Sequence, residues 1–207
     1  MNNKIYLYHR EKKVKTLGPG ERYAIWTQGC PHNCEGCIAP ESHSIDCGGE
    51  WIEIDTILSE IDENNLIQGV TISGGDPFIQ KKPLLNLVKE IAKRGLNIIC
   101  YTGFTYEELK KNKEAQEILK YIDILIDGKY EKNRNSGSYL RGSDNQRIIH
   151  LKNTFKKYEK MMLNTKNRNV EIKFLDESSI FIVGLPPVNL NENWDKVRKN
   201  IYKEREK

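Results

Sequence analysis

The sequence predicts an α/β fold, a parallel sheet wrapped by helices. Two observations carry that reading. Apolar, β-prone runs alternate along the chain with stretches whose apolar residues recur at helical spacing, and the runs end in turns marked by cysteine or glycine. At 207 residues the chain has the length that one core normally serves, about 100–200 residues, so one domain over 1–207 and one active site are expected.

The elements follow in order. Leu17-Gly18-Pro19-Gly20 is a turn signal, and residues 23–27 after it form an apolar strand that runs directly into a cysteine loop. Ile54, Ile57, Leu58 and Ile61 have helical spacing with acids between them, and a short strand at 69–73 then ends in Gly74-Gly75. Leu84, Leu85, Val88, Ile91 and Ala92 mark a second amphipathic helix with Gly95 placed to end it, and 96–101 is the third strand. Helical character over 105–120 precedes a fourth strand, 122–126, bounded by Asp127-Gly128.

Residues 129–146 are polar and glycine-containing, the pattern of a long functional loop. Beyond them 153–169 is lysine-rich and helical in its first part, and 170–175 and 179–183 flank Asp176-Glu177-Ser178 like a hairpin. Ligands gather at the carboxyl ends of strands in such sheets, so the cysteine loop, the Gly-Gly turn, Thr102-Gly103 and Asp127-Gly128 should share one rim.

An apolar fraction of 38% with 30% charged residues describes a soluble protein, and no run approaches the roughly 18 apolar residues of a membrane span. The N-terminus carries charges where a signal peptide needs an apolar stretch, so a cytoplasmic location is expected and no membrane partner. The net charge of +4 is modest, and part of the basic excess lies in WDKVRKNIYKEREK, which reads as a solvated helix face; nucleic acid is not an expected partner.

Five cysteines are an odd number, and three of them, Cys30, Cys34 and Cys37, lie within eight residues as C-x3-C-x2-C. Reducing cytosol disfavours disulfides, so a metal or cluster is the better reading. Such spacing lets one loop present three thiolates to one [4Fe–4S] cube and leaves its fourth iron open, whereas a cluster serving only electron transfer normally has four protein thiolates. The competing reading is structural zinc completed by His32 or His43. Cys47 reads as a redox or substrate-contacting thiol and Cys100 as a small core residue; Met161 and Met162 read as helix packing.

The cysteine motif after a first strand and Ser73-Gly74-Gly75-Asp76-Pro77 after a second resemble the radical SAM superfamily. The resemblance implies a partial (β/α) barrel, a [4Fe–4S] cluster on the three cysteines, S-adenosylmethionine chelated at the open iron, and Gly74, Gly75 and Asp76 at its amino group. Glycine lets backbone approach the ligand closely, and the acid can accept from an ammonium. Gly36, where the superfamily commonly has an aromatic residue, points to a subgroup. TQGCPHNCEGC, GVTISGGDP, YTGFTYEEL, IDILIDGKY and LRGSDNQRI are together similar to the activating proteins of anaerobic ribonucleoside-triphosphate reductase, over about residues 17–151.

That family implies reductive cleavage of S-adenosylmethionine to a 5′-deoxyadenosyl radical, which takes hydrogen from one glycine of a glycyl-radical enzyme. A low-potential donor of the flavodoxin or ferredoxin type is implied too. Thr102 and Asp127, each after a strand, are candidate cofactor contacts, and so is Arg141 in a polar cluster with Asn145, Gln146 and Arg147, since a guanidinium binds a carboxylate as a fork. His32, inside the cysteine loop, could shape cofactor access or cluster hydrogen bonding. The extension, 152–207, goes beyond what the compact activating proteins need, which keeps direct modification of a peptide or small protein as the alternative. A non-enzymatic iron–sulfur or zinc module is the alternative from another class.

Overall fold

The computed structural model describes residues 3–164, 168–174 and 180–188. The strands are β1 (Lys4–Val14), β2 (Arg22–Thr27), β3 (Glu50–Glu53), β4 (Gly69–Gly74), β5 (Asn97–Tyr101), β6 (Ile124–Asp127), β7 (Arg147–His150), β8 (Glu171–Phe174) and β9 (Ile180–Val183). The helices are α1 (Ile54–Asp62), α2 (Lys81–Lys93), α3 (Tyr106–Leu109), α4 (Lys113–Leu119) and α5 (Glu159–Asn164). Seven strands form one sheet in the order β3-β1-β2-β4-β5-β6-β7, and β8 and β9 form a separate antiparallel pair.

The parallel pairing expected from the βα alternation holds for β2, β4, β5 and β6 only. β1, β3 and β7 join antiparallel, so the sheet is mixed, and β3 and β7 are its two edges. The barrel implied by the resemblance is therefore not closed by strand pairing among the described residues.

The helices cover the two faces unequally, α1, α2 and α4 on one and the short α5, through Met162, on the other. Ile57 and Leu58 of α1, Leu87 and Val88 of α2 and Ile118 of α4 pack with Tyr23, Ile25, Val70, Ile72, Ile98 and Leu125 in one apolar core. Strand side chains alternate, so Ala24, Trp26, Ile99, Ile124 and Ile126 face the other way, where Phe155, Met162 and Val183 cover them together with Val14, Leu17 and Leu140.

The single helix expected over 105–120 is two. Thr105 caps α3 in a capping box with Glu108, and Asn112 caps α4 by accepting from Ala115 N at 3.0 Å, which interrupts a through-going helix. The hairpin expected near the C-terminus is β8–β9; its turn, Asp176-Glu177-Ser178, and the segment WDKVRKNIYKEREK lie outside the described residues. Among the described residues no helix is long and apolar enough to cross a membrane.

Candidate functional site

The loop that carries Cys30, Cys34 and Cys37 leaves the carboxyl end of β2, and its backbone is sewn to its surroundings. Gly29 N donates to Ser42 O at 2.8 Å and Cys30 N to His43 O at 3.0 Å, closing the loop on itself. Gln28 pins its far side, Nε2 donating to Glu41 O (3.1 Å) and Ser44 O (2.8 Å). The turn after β4 is tied in as well, with Gly75 N donating to Thr27 O and Asp76 N to Gly29 O, both at 2.7 Å.

Between the thiols the backbone turns tightly. Cys37 N donates to Cys34 O at 3.2 Å, and Gly36 takes a left-handed φ of 70°. The left-handed φ favours glycine at 36, and a Cβ there would also come within 3.1 Å of Lys132 Cδ. Lys132 thus brings the 129–146 loop against the cysteine loop, and it also pairs with Glu35 at 3.8 Å.

All three thiols are free and half-buried. Burial pushes the Cys30 and Cys37 thiols up, against backbone N–H bonds that favour the thiolate, so an uncoordinated loop holds them protonated. Among the described residues no three His, Cys, Asp or Glu side chains converge on one point as a single ion requires. Three thiolates on one short loop can each take a different iron of one cube, so the donor set fits a cluster. His32, a candidate fourth zinc donor, is turned into Asp76, Nε2 to Oδ2 at 2.7 Å.

Asp76 is fully buried and already engaged. Its Oδ1 accepts from Phe78 N (3.0 Å), its Oδ2 from Gly103 N (2.9 Å), and the Thr102 hydroxyl donates to it at 3.0 Å. Together with His32, these donors join the cysteine loop, the turn after β4 and the turn after β5. Gly74 and Gly75 pack against the end of β2: a Cβ would stand 2.3 Å from Thr27 N and 2.1 Å from Gly29 O respectively. Glycine is required there for close approach of backbone to backbone.

Asp127, at the end of β6, is buried too. It accepts from Tyr106 N at 2.7 Å and from Arg147 Nε at 2.9 Å, and Arg147 also reaches Glu107 at 2.6 Å. Its hydrogen bonds to Asp127 and then to Glu107 raise the Arg147 pKa. Gly128 N donates to Phe104 O at 3.2 Å, which links this end of the sheet to the Thr102-Gly103 turn.

The rest of the polar cluster folds the 129–146 loop. Gln146 Nε2 donates to Gly128 O and Asn145 Nδ2 to Lys129 O, while Gly142 N donates to Gln146 Oε1. Arg141 donates to Ser138 Oγ (3.2 Å) and Gln146 O (3.3 Å), and its buried Nε has no partner among the described residues. Arg168, unmarked by any motif, donates to carbonyls of this loop. Cys47 is exposed, its Sγ 3.1 Å from Ser44 Oγ, and Cys100 is a buried core thiol. Met162 packs in the core, whereas Met161 is exposed.

The family model described as a 4Fe-4S single cluster domain matches residues 16–149. The anaerobic ribonucleoside-triphosphate reductase-activating protein of Enterobacteria phage T4 is 37% identical over 137 residues, 63% of this chain and 85% of that protein. Its counterpart in Escherichia coli K12 is 32% identical over 154 residues, 70% of this chain and 99% of that protein. The crystal structure of QueE from Escherichia coli overlaps 49% of this chain and 54% of its own at 18% identity, with a TM-score of 0.40. With the cysteine loop inside the matched span and nearly the whole of a relative accounted for, the chain belongs to the 4Fe-4S single-cluster family of anaerobic ribonucleoside-triphosphate reductase-activating proteins.

Proposed function

We propose that the chain is a radical SAM activase that installs a glycyl radical on an anaerobic ribonucleoside-triphosphate reductase. The observation that carries this is the cysteine loop itself: three half-buried thiols on one tight turn, bound by backbone and by Asp76 to the glycine turn after β4. Cys30, Cys34 and Cys37 would hold a [4Fe–4S] cluster, which would supply the one electron needed to cleave S-adenosylmethionine to methionine and a 5′-deoxyadenosyl radical, the species that would take a glycine hydrogen.

The chain's own residues arrange that chemistry. The backbone of Gly74 and Gly75 is the close-approach surface for S-adenosylmethionine. Asp76, Thr102 and Asp127 act through the backbone they hold, because their side-chain oxygens are engaged within the protein. Arg141 is a forked donor in the loop that meets the cysteine turn. The electron comes from a low-potential flavodoxin or ferredoxin, and the work is done in an oxygen-poor cytoplasm.

The test is anaerobic reconstitution with iron and sulfide, addition of dithionite and S-adenosylmethionine, and chromatography for 5′-deoxyadenosine. Wild type should form it and a Cys30→Ala, Cys34→Ala, Cys37→Ala triple variant should not. A reduced, intact cluster that yields none, even with an anaerobic reductase present, overturns the reading.

A further inference from the structure

Beyond residue 149, where the 4Fe-4S match ends, the chain continues past the length of its relatives, since 63–70% of it already accounts for 85–99% of theirs. The described parts of this extension lie on the sheet face opposite the helices. Phe155 and Met162 bury Ile99, Ile124 and Ile126, and Phe181 and Val183 pack on Ala24 and Trp26, the Phe181 ring edge-on to Trp26 with centroids 5.1 Å apart. Phe155 also lies 5.7 Å from the guanidinium of Arg22, a fully buried cation on that face.

One side chain of the extension reaches further. Arg168 is 8% exposed and spends its planar fork on backbone carbonyls: Nε donates to Ser138 O at 2.9 Å, Nη2 to Gly142 O at 3.2 Å and to Arg141 O, and Nη1 to Pro186 O at 3.1 Å. Three of the four belong to the 129–146 loop. Carbonyl dipoles crowded together repel one another, and a cation held among them removes that cost. Arg22 does the same for the sheet, donating to Val70 O at 2.8 Å in β4 and Asn97 O at 3.3 Å in β5, but there it adds to strand pairing, whereas the 129–146 loop has only short turns of its own.

We propose that Phe155, Met162, Phe181 and Val183 form a built-in cover for this sheet face and that Arg168 is a positioning residue: by gathering the carbonyls of Ser138, Arg141 and Gly142 it sets the 129–146 loop in the shape that receives S-adenosylmethionine. The ligand named here rests on the proposed function; the clamp does not. A lysine cannot replace the fork, because a single ammonium at the end of a flexible stem does not meet four carbonyls spread over a plane.

Amide hydrogen exchange on the full-length protein tests the clamp without any turnover, and Arg168→Gln and Arg168→Lys are the variants. Both should exchange at least tenfold faster at Gly142, Asp144 and Gln146, whose amides the loop's own hydrogen bonds protect, with β4 and β5 as protected as in wild type. In 5′-deoxyadenosine formation both should raise KM for S-adenosylmethionine at least fivefold with kcat within about twofold. Loop exchange within twofold of wild type overturns the clamp. Faster exchange spread through β4 and β5 also overturns it, by making Arg168 a residue of general stability. Faster loop exchange with an unchanged KM removes the link to the cofactor. If wild type forms no 5′-deoxyadenosine, the proposed function fails while the exchange result still decides the clamp.

Discussion

His32 Nε2 stands 2.7 Å from Asp76 Oδ2, and that contact joins the middle of the cysteine loop to the turn after β4. The imidazole is 7% exposed, sits edge-on to Phe104 with centroids 4.6 Å apart, and fills the space that a Cβ on Gly103 would need, 2.3 Å from His32 Cδ2. One buried carboxylate therefore holds the geometry of three turns. His32→Ala should loosen the loop while leaving Asp76 with its other donors. Asp76→Ala should do more, because Phe78 N and Gly103 N are left unpaired, at about 1–3 kcal/mol for each buried group. Iron bound per chain after anaerobic reconstitution should fall in the order wild type, His32→Ala, Asp76→Ala; equal loading in all three would refute the tie.

Gly75→Ala tests the contact between the glycine turn and the cysteine loop by bulk alone. The added methyl would lie 2.1 Å from Gly29 O and 2.8 Å from Ser42 O, so Gly29 must move and the 2.7 Å bond from Asp76 N to Gly29 O is strained with it. Overpacking of this kind costs about 1–3 kcal/mol. The melting temperature should drop and cluster loading with it. Gly95→Ala is the control: no atom lies within 4 Å of its Cβ, so it carries the backbone cost of a positive φ and should leave loading intact.

The Asp127–Arg147 pair is one-sided, the carboxylate 1% exposed and the guanidinium 48%. Removing the arginine leaves a buried acid with only Tyr106 N, whereas removing the acid frees the arginine to Glu107 and water. A double-mutant cycle with Asp127→Asn and Arg147→Leu should give a coupling of about 1–3 kcal/mol, above the 0.2–1 kcal/mol of exposed pairs. A coupling near zero in urea denaturation would show that the pair adds nothing to the fold.

Much of this was legible in the sequence where local pattern and tertiary role coincide. The buried parallel strands β2, β4, β5 and β6 read as apolar runs, and α1 and α2 announce themselves by spacing. β1 carries no strand signal in the sequence, for a physical reason: its register shifts between Leu7 and His9 and again between Glu11 and Val14 break the alternation, and its charges are paired across space, Arg10 with Glu60 and Lys13 with Glu21. The three cysteines of the expected cluster stand out as C-x3-C-x2-C. What spacing could not give is where a side chain spends its donors and acceptors: Asp76, Thr102 and Asp127 sit at the expected strand ends but point into the protein. Arg168, an arginine in a lysine-rich stretch, carries no local signal at all.

Glu60 gives the fold a specific response to acid. Burial works against its charge, but the Arg10 fork, with Nε and Nη2 each at 3.1 Å, and the Tyr23 hydroxyl at 2.5 Å outweigh it, so its carboxyl is held below the ordinary range. The folded state then binds a proton less readily than the unfolded chain, whose glutamate titrates near about 4.3. The contribution to stability is complete above that value and is lost as pH falls from it through the lower folded pKa. Glu60→Gln keeps the shape and removes the charge. Urea midpoints of wild type and Glu60→Gln should differ by a constant amount from pH 5.5 to 7.5 and converge below about pH 4. A difference that persists unchanged at pH 3.5 would mean that packing around residue 60, and not its ionisation, sets the cost.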